Sequence, residues 1–258
     1  MPRCAVVTGA GSGIGAAVTA LLRSQGDRVV GVDLRGAEIE ADLATPEGRA
    51  RAARAVSDAT GGVTDTVITC AGTSVPGEGM VTVNYFGTTE FVTALQPALA
   101  ASSAPRVVVI GSVSGTRPAD EAVVAALLAA DEETALQHAR TAIAEGRERQ
   151  LYPSSKSALA QWARRTAVAV GWADTGIPVN VVAPGIVLTP MSADLFDDPE
   201  MKRVMDTAVP MPLNGYLQPE DVARAVAFLA SEANTHITGQ VLYVDGGAET
   251  TLRAPSVF

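Results

Sequence analysis

Cysteine is nearly absent from this chain: Cys4 and Cys70 are the only two in 258 residues. Two are too few for a disulfide framework. They open one predicted strand and close another, so in parallel neighbours the thiols would sit at opposite edges of a sheet, beyond bridging distance. Both are therefore read as reduced. Histidine is as scarce; His138 and His236 are far apart and near no other ligand type, so no metal site is expected. Positive charge is in deficit, with a net charge of −9, and a surface of that sign repels a phosphate backbone, which argues against a nucleic-acid partner. Long apolar runs are missing too. The longest, Ala122–Ala130, is about half of what a membrane span needs. The first residues, MPRCAVVTGAG, enter a strand without a signal-peptide pattern. The expectation is a cytoplasmic protein with no membrane partner.

What is present reads as a globular chain, 47% hydrophobic and 18% charged with 24 glycines. The length suits one large α/β domain or two small ones. Apolar runs of strand length, at Arg3–Thr8, Arg28–Asp33, a short piece before Asp42, Asp65–Cys70, Arg106–Gly111, Pro178–Ala183 and Gln240–Val244, alternate with helical patterns. The helices are expected at Gly13–Gln25, Thr45–Ala59, Met80–Ala101, Tyr152–Trp172 and Pro219–Ser231. A strand such as Val107–Ile110, apolar throughout, belongs in a sheet covered on both faces. The alternation predicts an α/β fold, a single doubly wound Rossmann domain over 1–258 with a seven-stranded parallel sheet. Two stretches stand outside it. Arg117–Gln150 is Ala- and Glu-rich with helical period and is expected as a two-helix insertion before the next core helix. Pro190–Leu217 carries Met191, Met201, Met205 and Met211 among prolines and acids and reads as an adaptable substrate lid, although such methionines also serve plain packing.

The run Thr8-Gly9-Ala10-Gly11-Ser12-Gly13-Ile14-Gly15 follows an apolar strand and opens a helix. A diphosphate needs bare backbone N–H groups and a helix N-terminus facing it, and glycines here meet that need. A glycine-rich turn alone could be a loop without ligand. Asp33, at the end of the next strand and about 20 residues on, adds weight. Its carboxylate can accept hydrogen bonds from an adenosine ribose and would repel a 2′-phosphate by several kcal/mol at an effective dielectric of about 20. Ser12 stands where a phosphate-binding cation would be wanted, and Arg35 is the one counter-signal. The reading is NAD.

Tyr152-Pro153-Ser154-Ser155-Lys156 opens an amphipathic helix, with Pro153 suited to its first turn. The i, i+4 spacing puts phenol and ammonium on one face. An ammonium about 4 Å from the phenol is worth up to roughly 4 kcal/mol at that same dielectric, and an oxidised nicotinamide would add a second positive charge. Both would bring the phenol toward the range where acid–base catalysis works. Alone, such a pair also occurs as surface decoration.

In order along the chain stand TGAGSGIG (Thr8–Gly15), VDL (Val32–Leu34), ADL (Ala41–Leu43), CAG (Cys70–Gly72), VNYFG (Val83–Gly87), GSVSG (Gly111–Gly115), YPSSK (Tyr152–Lys156), NVVAPGIVLTPM (Asn180–Met191) and VDGG (Val244–Gly247). From Cys4 to about Gly247 this pattern resembles the short-chain dehydrogenase/reductase family. The resemblance implies Tyr152 as acid/base at the substrate oxygen, Lys156 lowering its pKa and holding the nicotinamide ribose, and Ser112 hydrogen-bonding the substrate oxygen. It implies Asn84 as the holder of a water in a proton relay to Lys156. For the cofactor it implies Gly9, Ser12, Gly13, Ile14 and Gly15 at the diphosphate, Asp33 at the adenosine ribose, Asp42 and Leu43 at the adenine, Ala71 and Gly72 beside the ribose, and the Val187 backbone with Thr189 at the carboxamide. Ser112 could instead be a strand-end cap, and Asn84 could serve a neighbouring segment.

Two departures narrow the resemblance. Thr69 and Cys70 replace the asparagines usual before Ala-Gly, and Ser112 to Tyr152 spans 40 positions where about a dozen are usual, while Gly72 to Asn84 is short. This layout is similar to the bacterial 3α-hydroxysteroid dehydrogenase/carbonyl reductase group. That implies an alcohol or ketone substrate that is small and apolar, such as a 3-hydroxysteroid. A terpene, a sugar or an acyl chain is the alternative substrate, and a non-catalytic NAD-sensing protein of the same fold is the alternative class. A sensor would be free to lose Tyr152 or Lys156, and both are present. Assembly as a homodimer or homotetramer is expected through the Pro219–Ser231 helix and the Gln240–Val244 strand, because the insertion at the head of the Tyr152 helix obstructs that surface.

Overall fold

The computed structural model describes residues 2–193, 199–253, 256 and 257. Seven strands, β1 (Cys4–Thr8), β2 (Arg28–Asp33), β3 (Ile39–Glu40), β4 (Thr66–Thr69), β5 (Arg106–Ile110), β6 (Val179–Pro184) and β7 (Val241–Val244), form one sheet in the order β3-β2-β1-β4-β5-β6-β7. Every pairing is parallel. The uniformly apolar strands explain themselves through the pleat. Successive side chains point to opposite faces, and each face is covered. Val6, Val107, Val109 and Val181 join one core cluster; Val7, Val108, Ile110 and Val182 join the other.

The second cluster is closed by α1 (Gly13–Ser24) and α10 (Pro219–Ala230), which pack on one another. On the first face lie α2 (Pro46–Thr60) and α8 (Leu151–Thr166), with α6 (Glu121–Leu128) and α7 (Glu132–Ala144) forming the expected two-helix insertion. The inward positions of this hairpin, Ala126, Ala135, Ala139 and Ala142, are buried alanines that let the helices approach closely. Asp120 and Asp131 cap its helices by accepting backbone N–H groups from Ala122, Val123 and Thr134.

The helix expected at Met80–Ala101 is four pieces: α3 (Gly79–Val81), a π-turn (Thr82–Phe86), α4 (Gly87–Ala94) and α5 (Gln96–Ala100). Pro97 accounts for the last break, between α4 and α5, since its ring would meet the carbonyl of Thr93 in a continuous helix. The π-turn is a one-residue insertion that turns Asn84 inward, where it is 1% exposed. The Tyr152 helix also ends earlier than expected, at Thr166, and the chain then turns through Gly171 (φ +85°) to bury Trp172. Two helices, α9 (Pro199–Ala208) and α11 (Ala248–Leu252), complete the described α-helices. Part of the expected lid, 194–198, lies outside the described residues.

Because β1 and β4 pair from Ala5↔Thr66 to Thr8↔Thr69, Cys4 and Cys70 stand at opposite ends of the same two strands, and both are free thiols. Among the described residues no three metal-ligating side chains cluster, and no helix is long and apolar enough to cross a membrane.

Candidate active site

In an open parallel sheet the strands end in loops on one side, and the crevice there is where ligands sit. The glycine turn after β1, Asp33 at the end of β2, Ala71–Gly72 after β4, Ser112 after β5 and Val187–Thr189 after β6 all lie on that side. The turn after β1 is shaped by its glycines: Gly9 has φ +68° and Gly13 φ +50°. A Cβ on Gly9 would stand 2.7 Å from the Ala71 nitrogen, and one on Gly15 would stand 2.0 Å from the Gly9 carbonyl oxygen. The turn therefore presses α1 onto β1 and against the Ala71–Gly72 segment. At the start of α1, Ser12 makes no side-chain cap and no acid lies in the first turn. The N–H groups there face the crevice with their positive end of the helix dipole uncompensated.

Asp33 stands over this turn. Its Oδ2 accepts from Gly11 N–H at 2.9 Å and its Oδ1 from Leu34 N–H at 2.6 Å. Next along the edge, Asp42 Oδ1 accepts from Ala44 N–H, and Leu43 is buried beneath the same turn. From the other side comes the loop after β6. Thr189 lies within 3.2 Å of the position a Gly13 Cβ would take. Ser192 ties this loop by donating to the Val187 carbonyl at 2.6 Å and accepting from Thr189 N–H at 3.0 Å. A bare-backbone turn, an uncompensated helix N-terminus and a carboxylate beyond it fit a dinucleotide: the turn and α1 would hold the diphosphate, and Asp33 an adenosine ribose.

The second group of residues lies at the ends of β5 and α8. Ser112, in extended backbone at the end of β5, accepts from Ser114 N–H at 3.1 Å, and its hydroxyl also hydrogen-bonds the Tyr152 phenol. It is a cap and a partner at once. Lys156 is buried with its Nζ 5.8 Å from the centre of the Tyr152 ring, and it donates to the Ile110 carbonyl at 2.9 Å. Asn84 Oδ1 accepts from Thr73 N–H at 2.8 Å, while its Nδ2 donates to the Thr73 carbonyl at 3.0 Å and to Ser155 Oγ at 3.3 Å. A Cβ on Gly72 would lie 3.2 Å from Asn84 Oδ1 and 4.0 Å from Lys156 Nζ, so Gly72 is where the two groups of residues meet.

The electrostatics differ from expectation. Burial pushes the Tyr152 phenol up from its ordinary value, with the Ser112 hydrogen bond pulling the other way. Burial also brings Lys156 down to about 8, opposed by the nearby Cys70 thiol, itself pushed up to about 12 by burial. The protein groups alone do not acidify the phenol. The ammonium sits beside the ring and directs an N–H to the Ile110 carbonyl, and for the phenol the burial outweighs the Ser112 hydrogen bond.

Sequence reasoning missed Thr8, whose Oγ1 accepts from Ala71 N–H at 3.1 Å, and the supporting roles of Ser155, Ser192 and the Ile110 carbonyl. Ser192 had a signal, since Thr189-x-x-Ser192 is a capping-box spacing and the box forms. Nothing in the sequence marked Ile110.

With this geometry stand three comparisons. Residues 3–124 match the family model described as short chain dehydrogenase, and residues 134–249 match the one described as Enoyl-(Acyl carrier protein) reductase. The chain is 36% identical over 253 residues to the 3-alpha-hydroxysteroid dehydrogenase/carbonyl reductase of Comamonas testosteroni, covering 96% of this chain and 97% of that one. It is 33% identical over 249 residues to the galactitol 2-dehydrogenase (L-tagatose-forming) of Cereibacter sphaeroides, covering 95% and 94%. Among solved structures, the 3-alpha-hydroxysteroid dehydrogenase of Pseudomonas sp. B-0831 complexed with NADH superposes with a TM-score of 0.91 at 40% identity, over 98% of this chain and 100% of that one.

Proposed function

The chain belongs to the short-chain dehydrogenases, and from that premise we propose that it is an NAD(H)-dependent oxidoreductase interconverting a secondary alcohol and a ketone on an apolar, ring-containing substrate, a 3-hydroxysteroid first among them. The observation that carries the chemistry is the Ser112–Tyr152 hydroxyl pair at the head of α8, with Lys156 one turn below and the glycine turn alongside. When bound in the crevice, the nicotinamide supplies or accepts the hydride. The protein's part is the proton. The neutral Tyr152 phenol, kept protonated by burial, donates to a carbonyl oxygen, and Ser112 O–H shares the charge developing there. Lys156 stands behind the phenol to restore its proton. Asn84 Oδ1, facing Lys156 across Gly72, holds the water that connects them to solvent.

NAD over NADP is supported by Asp33, which offers acceptors to ribose hydroxyls and repels a phosphate at the same place. The steroid assignment is supported by the two relatives named for that activity and by the lid. There Met205 and Met211 pack with Ile186, Val209, Tyr216 and Val113, the neighbour of Ser112. Methionine suits a surface that must fit a rigid apolar ring. The chain's setting is the cytoplasm, consistent with two free thiols. Assembly is a homodimer or homotetramer through α10 and β7.

NADH oxidation with a panel of cyclic ketones tests the reading. Tyr152→Phe is expected to lower kcat by about 10²- to 10⁴-fold while leaving NADH binding unchanged. Turnover in that variant at the native rate would defeat the assigned mechanism.

A further inference from the structure

Arg49, on α2, is among the bulkiest side chains the fold buries completely, at 2% exposed. Its fork reaches three separate elements. Nε donates to Glu90 Oε2 on α4 at 2.7 Å, and the two terminal nitrogens donate to Glu132 at the head of α7, at 3.2 and 2.5 Å. One of those nitrogens also points at the Leu43 and Ala44 carbonyls, each 3.4 Å away, and the guanidinium lies 5.8 Å from the Phe86 ring. A planar, always-charged fork is the side chain suited to joining two carboxylates and a turn in one plane.

The turn it holds has no slack. A Cβ on Gly48 would lie 1.8 Å from the Asp42 carbonyl oxygen, and one on Gly87 would lie 3.1 Å from that of Leu43. Residues 42–44 are thus seated on two glycines and pinned from below by Arg49. Glu132 belongs to the insertion, whose base is held at the other end of the site. There Asp120 pairs with Arg147 and donates its N–H to Ser154, two residues beyond Tyr152. The insertion therefore spans from the catalytic helix to the turn at 42–44.

We infer that Arg49 is a positioning residue for the adenosine half of the cofactor, and that the insertion acts as a strut which holds that half's binding wall through Glu132. The inference rests on the reading of Asp42 and Leu43 as the adenine wall. A merely structural ion pair would affect stability and both halves of the site alike. A strut makes a narrower demand: it acts on ligands that carry the adenosine and not on those that lack it. Reduced nicotinamide mononucleotide, which has the hydride-bearing ring and ribose but no AMP half, separates the two.

Glu132→Gln removes the charge and keeps the shape. NADH affinity, read by fluorescence titration, is expected to weaken about tenfold, within the roughly 5- to 150-fold typical of linked sites. KM for NADH should rise in parallel, with kcat at saturating NADH unchanged and turnover of the reduced mononucleotide unchanged. Equal losses with both cofactors would overturn the proposal. The wall itself is checked by Asp42→Ala, expected to weaken NADH and spare the mononucleotide. Should Asp42→Ala leave both untouched, the adenine wall lies elsewhere and the inference falls with that reading. If Asp42→Ala weakens NADH but Glu132→Gln does not, the wall stands and the strut alone fails. A further measurement needs no variant. Linkage is reciprocal, so NADH should raise amide-exchange protection in the first turn of α7 in the native protein and the mononucleotide should not. Identical protection with either ligand would also refute the strut.

Discussion

A lysine held inside a protein is a measurable liability, and Lys156 is one. Its folded-state value is about 8, against 10.5 when unperturbed, and burial is the cause. Below pH 8 the ammonium is present in both folded and unfolded chains, and its desolvation cost is felt in full. Between pH 8 and 10.5 the unfolded chain binds more protons than the folded one, so stability rises with pH, by up to about 3 kcal/mol. Urea unfolding of the native protein and Lys156→Met, compared at pH 7.5 and 10.5, should show the native protein gaining about that much relative to the variant. A pH-independent difference would mean that the ammonium is not buried in the free protein. Asp33 allows a second residue-scale prediction: Asp33→Ala should lower the preference for NAD over NADP by about 100-fold in kcat/KM, roughly 3 kcal/mol. An unchanged ratio would remove the basis for choosing NAD. The site's residue types were legible in the sequence because their chemistry is tied to short spacings, such as Tyr152 to Lys156. Their partners were not. That Lys156 bonds Ile110, that Gly11 bonds Asp33 and that Arg49 joins two carboxylates all depend on segments 22 to 83 positions apart, which no local pattern encodes.

At the scale of elements, strands were readable because a doubly covered sheet demands apolar residues on both faces, and the inner strands β1, β2, β4, β5 and β6 largely meet that demand. The helix between β4 and β5 was misjudged for a physical reason. Its apolar period is continuous from Met80 to Leu99, but the period records burial and not the hydrogen-bond ladder, which shifts at Asn84 and breaks before Pro97. The junction of β1 and α1 shows how one atom can govern two elements. Gly15→Ala would place a methyl 2.0 Å from the Gly9 carbonyl oxygen, a backbone atom that cannot move without opening the turn. The expected result is loss of NADH binding and a destabilisation of about 3 kcal/mol, the upper end of ordinary overpacking. Gly26→Ala is the control. Gly26 has φ +93° but nothing within 4 Å of its would-be Cβ, so the cost is backbone strain of about 1–2 kcal/mol, with NADH affinity unaltered. Equal effects of the two substitutions on binding would show that the turn is not the diphosphate cradle.

For the molecule as a whole, the sheet is asymmetric in how its edges are finished. At one end β3 is two residues long. At the other, β7 pairs only with β6 among the described residues and leaves Leu242 39% exposed, while α10, packed against β5, β6 and β7, leaves Phe228 50% exposed. An unblunted edge strand beside an exposed aromatic is a template for pairing unless something covers it. The alternative face, on α8, is occupied by α6 of the insertion. A second copy meeting β7 and α10 would satisfy both the edge and Phe228 in one isologous contact. Two chains of net charge −9 repel, so association must come from buried apolar area, and added salt should strengthen it by screening. Light scattering of the native protein should therefore give a dimer or tetramer that persists in 0.5 M salt. Phe228→Glu, which buries a like-signed charge against its own symmetry mate, should give monomer. Because Phe228 lies on α10, which packs on the face of the sheet opposite α8 and Tyr152, kcat per chain should change less than about twofold. A native protein that is monomeric at every salt concentration, or a Phe228→Glu variant that assembles as before, would exclude this edge as the interface.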